Sequence, residues 1–247
     1  MNTKLKTKSW WLFSIILFAF FIVLQVPASW LITKFYKNNQ TLHNVSGNFW
    51  SGQADWRKDQ LRGTLTWKVR PQDFLRLRFG ADLKINSGSS ELKGIAQYSM
   101  TQKLFIKDMN GKIAADTLKT WVAWQWPNNA IQLQNLELSY KKQHGFLDAK
   151  GQLQWAAGEL NYIYAQHQDR MNIPPLKAQL SQSQQRLIFD VTDQRNQKMM
   201  NITIDPQLML DLQLTQRLLL NSASYQGKAG LDAYVLSTRQ PLLRGPM

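Results

Sequence analysis

Thr64-Leu65-Thr66-Trp67-Lys68-Val69 sets Leu, Trp and Val at alternate positions, with Thr, Thr and Lys between them. Successive side chains of a strand point to opposite faces, so this stretch reads as a strand with one apolar and one polar face. The period continues in Phe74-Leu75-Arg76-Leu77-Arg78-Phe79, with two arginines outward, and in Asp82-Leu83-Lys84-Ile85. Further runs fall at 130–140, 146–155, 160–164, 178–180, 186–191, 201–204 and 208–214. Within 131–140 the apolar parity flips at Asn135, which predicts a bulge.

Turn residues punctuate these runs: Ser46-Gly47, Ser51-Gly52, Arg62-Gly63, Ser87-Gly88, Lys93-Gly94, Asn110-Gly111, Lys150-Gly151 and Ala157-Gly158. Asn110-Gly111 has the pair favoured in two-residue hairpin turns. Two segments read differently. In 116–124, Asp116 is an N-cap candidate for a helix with Leu118, Trp121 and Val122 on one side, closed by Pro127; 215–224 reads as a second short helix. The polar stretch 166–172, before Pro174-Pro175, reads as a surface loop. Strands this short and frequent predict a mainly β chain, an antiparallel meander, twisted sheet or sandwich with one or two short helices. Alternation alone leaves closed sandwich and open curved sheet undecided.

Ahead of the β region, residues 9–33 run 25 positions without a charged side chain. A bilayer core of about 30 Å needs some 20 helical residues, so this run is expected to be a single N-terminal transmembrane helix. Lys4, Lys6 and Lys8 precede it, and no acid occurs before Asp55. That asymmetry places residues 1–8 in the cytoplasm, 9–33 in the membrane and 34–247 outside as a periplasmic β-domain, with Trp10, Trp11 and Trp30 near the two interfaces. The competing reading is a cleaved signal peptide ending near Val26-Pro27-Ala28-Ser29. The run exceeds the usual apolar core of such peptides, which favours the uncleaved signal-anchor.

Thirty Lys and Arg against sixteen Asp and Glu give a net charge of +14. The cations are scattered and match no nucleic-acid-binding motif, so the charge reads as a solvated basic face near a membrane rather than a nucleic-acid site. Cysteine is absent, which removes disulfides, thiolate metal sites and cysteine nucleophiles.

Catalytic constellations do not emerge. His43, His144 and His167 are isolated, and Glu occurs only at 91, 137 and 159. Asp190 and Asp193 suit a turn cap better than a calcium loop. Phosphate-cradling loops and serine-nucleophile elbows are missing. The reading is a non-enzyme without cofactor, metal or small-molecule ligand. Seven of the ten tryptophans lie beyond the anchor. They read chiefly as core, with a lipid or peptide groove as the alternative.

One block goes beyond patterning. Val45-Ser-Gly-Asn-Phe-Trp-Ser-Gly-Gln-Ala54, followed by Leu61-Arg-Gly-Thr-Leu-Thr-Trp-Lys-Val-Arg-Pro71, resembles the start of the exported region in protein N of the bacterial type II (general) secretion pathway. The match falls on Gly47, Trp50, Ser51 and Gly52, then on Trp67, Arg70 and Pro71. Downstream, Leu133–Tyr140 and the Gly-x-Leu-x-Trp strand from Gly151 to Trp155 resemble the family's middle section, and the likeness extends to about residue 240. The resemblance implies an inner-membrane accessory component of the machine that exports folded proteins across the outer membrane. It brings no catalytic residues, and the motif positions are expected to be structural. Such a component would bind other secretion proteins, for instance through exposed strand edges. The alternative is an envelope lipid-handling groove, with an apolar concave face lined by Leu65, Trp67, Leu77, Leu83, Leu153 and Trp155.

Overall fold

A computed structural model describes residues 41–242 apart from 59, 122–127, 143, 165 and 166, together with 25–35 and positions 10, 11, 13–15, 17, 18 and 21. Fifteen strands follow in order: β1 (Leu42–Gly47), β2 (Ser51–Lys58), β3 (Leu61–Val69), β4 (Arg78–Ser87), β5 (Ser90–Ser99), β6 (Lys103–Ile113), β7 (Ile131–Lys141), β8 (Gly145–Trp155), β9 (Gly158–Tyr164), β10 (His167–Ile173), β11 (Leu176–Ser183), β12 (Arg186–Asp193), β13 (Lys198–Ile204), β14 (Met209–Thr215) and β15 (Tyr234–Pro241). Thirteen of them form one sheet in chain order, every neighbour antiparallel, while β9 and β10 pair off as a separate hairpin between β8 and β11. The architecture is thus a single open meander and not a two-sheet sandwich.

Register turns the alternation into two faces. One row of paired residues runs Ala54, Leu65, Ile85, Leu92, Gly111, Leu133, Leu153, Ala178, Val191, Met200, Leu214, Leu236. It crosses from β2 to β15 without a polar side chain, a width of about 50 Å at the usual strand spacing. The row beside it runs Asp55, Thr64, Asn86, Glu91, Lys112, Gln132, Gln154, Lys177, Thr192 and is polar throughout. A one-residue slip anywhere would put charges on the apolar face, so hydrophobic burial fixes the register.

The dense core sits under the later strands. Phe146, Ala149, Leu180, Leu187, Ile204 and Leu210 form one buried cluster. Met171 and Ile173 of the hairpin, together with Leu218, close over Leu176, Val191 and Met199 in a second. Leu218 lies in the helix Gln216–Leu219, capped where Thr215 Oγ1 accepts the Leu218 N–H and donates to the Met199 carbonyl at 2.7 Å. Across β3–β5 the apolar row is only half-buried at Leu65, Ile85 and Leu92.

Several expectations need correction. Residues 74–79 do not start as a strand: Pro71 opens the short helix Pro71–Phe74, Leu77 takes φ +53°, and β4 begins at Arg78. Proline pre-set at the first helical position and a buried Asp73 outweigh the alternation. Asn110-Gly111 is not a hairpin turn but lies inside β6, where the register shifts; the Asn110 amide donates to the Asp108 carbonyl, and its oxygen accepts the Asn135 N–H. Gly63, Gly94 and Gly151 are likewise strand-interior rather than turn glycines. A Cβ on Gly63 would stand 2.8 Å from the Trp56 indole nitrogen, so glycine there admits a bulky neighbour. Most of the stretch 166–172 expected as a loop is strand β10. The first expected helix occupies Ala115–Trp121, with Asp116 inside the first turn; its remainder to 124 lies outside the described residues. The bulge at Asn135 is present, with φ +47°.

At the N-terminus the described positions between Trp10 and Gln25 are helical, and the remaining positions of 9–24 lie outside the described residues. Val26 and Pro27 interrupt the run before a separate helix, Ala28–Phe35, because proline cannot supply the helical N–H. Among the described residues no helix is long and apolar enough to cross a membrane.

Candidate functional site

The motif residues near the N-terminus build one end of the sheet. Gly47-Asn-Phe-Trp-Ser-Gly52 is the β1–β2 turn. Gly47 has φ +91°, and a side chain there would strike the Ser51 carbonyl at 2.4 Å, which requires glycine. Asn48 Oδ1 accepts the N–H groups of Trp50 and Ser51 at 3.0 and 2.9 Å. Gly52 faces Trp67 across the strand pair, and a Cβ on it would lie 2.5 Å from the indole ring. Ser51 serves this turn through its backbone, and among the described residues no histidine or acid is hydrogen-bonded to its hydroxyl.

Two consequences follow from that turn. The Phe49 N–H donates to the Val26 carbonyl at 3.0 Å, and Pro27 bridges Asn48, so the N-terminal segment is tied to the sheet here. Phe49 and Trp50 also meet Phe74 and Phe79 in an aromatic knot with ring centroids 5.1 to 6.2 Å apart.

Arg70 and Pro71 hold the knot in place. Arg70 Nη1 donates to Asp82 at 2.9 Å, and its Nε lies 3.3 Å from Asp73, a contact that is ionic rather than a directed hydrogen bond. The hydrogen bond to Asp82 is the chief cause holding the guanidinium pKa above its ordinary value. Asp73 is 3% exposed and accepts from the Gln97 amide at 2.9 Å. Gly151 and Trp155 lie elsewhere, on β8: Gly151 adopts φ +140° against Leu136, and the Trp155 indole N–H donates to the Asn129 carbonyl. The nine motif positions therefore form no single site.

Asp193 Oδ1 accepts the N–H groups of Arg195 and Gln197, capping the turn expected of it, while Asp190 accepts from Asn201. His43 and His144 are exposed, and the side chain of His167 lies outside the described residues. Among the described residues no group of three His, Cys, Asp or Glu is placed to hold a metal ion. An open depression of about 400 Å³ crosses β3–β6. Beside it Glu91 pairs with Lys93 at 2.9 Å and Lys84 at 3.1 Å, and these bonds, Lys93 first, hold its carboxyl below the usual range.

A family model described as type II secretion system (T2SS), protein N, matches residues 38–230. The chain belongs to that family. No curated protein and no solved structure matches it. The T2SS protein N match takes in the β1–β2 turn, the Arg70 knot and β8, and stops before β15. Sequence reasoning missed β15, whose Tyr234-Val-Leu-Ser-Thr-Arg run alternates weakly, and it missed the join between Pro27 and Asn48, which no local pattern encodes.

Proposed function

We propose that this member of the T2SS protein N family is a non-enzymatic, single-pass inner-membrane accessory of the secretion machine. Residues 1–8 lie in the cytoplasm, the apolar run from 9 is the anchor, and the β-domain sits in the periplasm binding other secretion components. The observation that carries the binding role is the free edge of β15: among the described residues it pairs only with β14, and seven of its eight residues are exposed. Such an edge accepts a partner strand through main-chain hydrogen bonds. Deleting the gene should abolish secretion of a folded exoprotein while leaving the inner membrane intact, and a photo-crosslinker at Ser237 should capture another secretion component. Normal secretion by the deletion strain would overturn this reading.

A second reading rests on the apolar row. A face twelve strands wide, half-buried over β3–β5, suits acyl chains of an envelope lipid. Of the six residues expected to line it, Leu65, Trp67, Leu83, Leu153 and Trp155 share that face by register; Leu77 does not, since it lies in a turn at 68% exposure. Native mass spectrometry of the detergent-extracted chain should find co-purified phospholipid. Extraction free of lipid would remove this reading.

A further inference from the structure

The antiparallel meander gathers its connections at two ends, and one end differs in chemistry. It carries the turns at 48–50, 70–77, 100–102, 142–144, 184–185 and 205–208. Large apolar side chains stand out there: Leu75 is 88% exposed, Met100 80% and Leu77 68%, with Phe74, Phe79 and Tyr98 beside them. Surface of this kind is costly in water unless something covers it.

Among the described residues, the charge in these turns that has no ion-pair partner is positive. The turns contain only two acids, Asp73 and Asp205, and both are buried against arginines. Arg76 and Lys142 are exposed, and Lys103 pairs with Lys141 directly across β6 and β7. Among the described residues these four cations have no ion-pair partner. Like charges opposite one another in a sheet are unfavourable unless an anion lies nearby. The N-terminal segment also joins the sheet at this end, through Val26, Pro27, Asn48 and Phe49.

We infer that this end of the sheet docks on an anionic lipid surface, with Leu75, Leu77 and Met100 entering the interface and Arg76, Lys103, Lys141 and Lys142 meeting the headgroups. Exposed apolar groups ringed by cations fit that boundary, where apolar burial and attraction to anionic lipid add. The inference rests on the anchor proposed above: Pro27, tied to the turn beside Trp50, brings this end against the bilayer that the apolar run enters.

The chain has no cysteine, so single-cysteine variants of the full protein report without background. Fluorophores would be placed at Leu75→Cys, Met100→Cys, Ser89→Cys at the opposite end, and Phe18→Cys in the apolar run. The protein would then be reconstituted in phosphatidylethanolamine vesicles with or without phosphatidylglycerol, using quencher lipids. The expected result is blue-shifted, quenched emission at positions 75 and 100 in anionic vesicles, and unquenched emission at 89. Replacing Arg76, Lys103, Lys141 and Lys142 by Gln should weaken docking by about fivefold per charge, read as the fraction of quenched label. Labels at 75 and 100 that behave like the one at 89, while position 18 is quenched, would overturn the docking and leave the anchor standing. Quenching at 75 and 100 without quenching at 18 would do the reverse. Burial of 75 and 100 only on addition of another secretion protein would make the surface a protein interface and also overturn the inference.

Discussion

Asp73→Ala should destabilise the β-domain by about 3 kcal/mol, because it strips a buried carboxylate from two partners at once. Arg70 loses one of its two acids, and the Gln97 amide is left buried without its acceptor. For a domain of this size the loss corresponds to a fall of about 9 °C in thermal midpoint. Asp73→Asn keeps an oxygen for Gln97 and should lose less. A second substitution tests the mechanism from the other side. A Cβ at Gly80 would stand 1.9 Å from Asp73 Oδ2, so Gly80→Ala must expel the same carboxylate. The two changes should therefore not add: Gly80→Ala is costly alone and nearly neutral on the Asp73→Ala background. Full additivity, measured by denaturant unfolding of the four proteins, would show that Asp73 is not the group glycine makes room for.

The knot also marks where the sequence could be read and where it could not. Alternation found strands β7, β8, β12 and β14 to within a few residues, since one buried face imposes period two on each. It failed at 74–79, where the same alternation occurs in a helix and turn held by Pro71 and by Asp73, partners that are Gly80 and Gln97 in space and not in sequence. Glycine misled for a related reason: Gly63, Gly94 and Gly151 sit within strands because atoms from another part of the chain press on them, the Asn86 carbonyl and Trp56 indole on Gly63, Met109 on Gly94 and the Leu136 backbone on Gly151. The flip at Asn135 was legible because a bulge leaves its own signature in parity. The Trp-Ser-Gly block was legible as a resemblance, yet its role as the turn that receives the N-terminal segment needed the Val26–Phe49 hydrogen bond. The apolar end emerged only once six turns distant in sequence were brought together.

One leucine pair distinguishes a sheet buried evenly from one whose core lies on one side. Leu180 and Leu83 occupy the same apolar face, linked by register through Gly94 and Met109 on one side and Gly151 on the other. Leu180 is 2% exposed within the cluster of Phe146, Leu187 and Ile204, whereas Leu83 on β4 is only half-buried. Leu180→Ala leaves a cavity that packed neighbours fill only in part, and should cost about 3 kcal/mol. Leu83→Ala removes area already partly in water and should cost about 1 kcal/mol. The contrast carries functional meaning, because a face that contributes little to folding is free to hold something else. If phospholipid occupies β3–β5, adding it should raise the thermal midpoint of the wild-type protein, and Leu83→Trp should abolish that increase by filling the space. Equal losses at the two leucines in unfolding experiments would mean that the early strands are as covered as the late ones, and the apolar row would then be core along its full width.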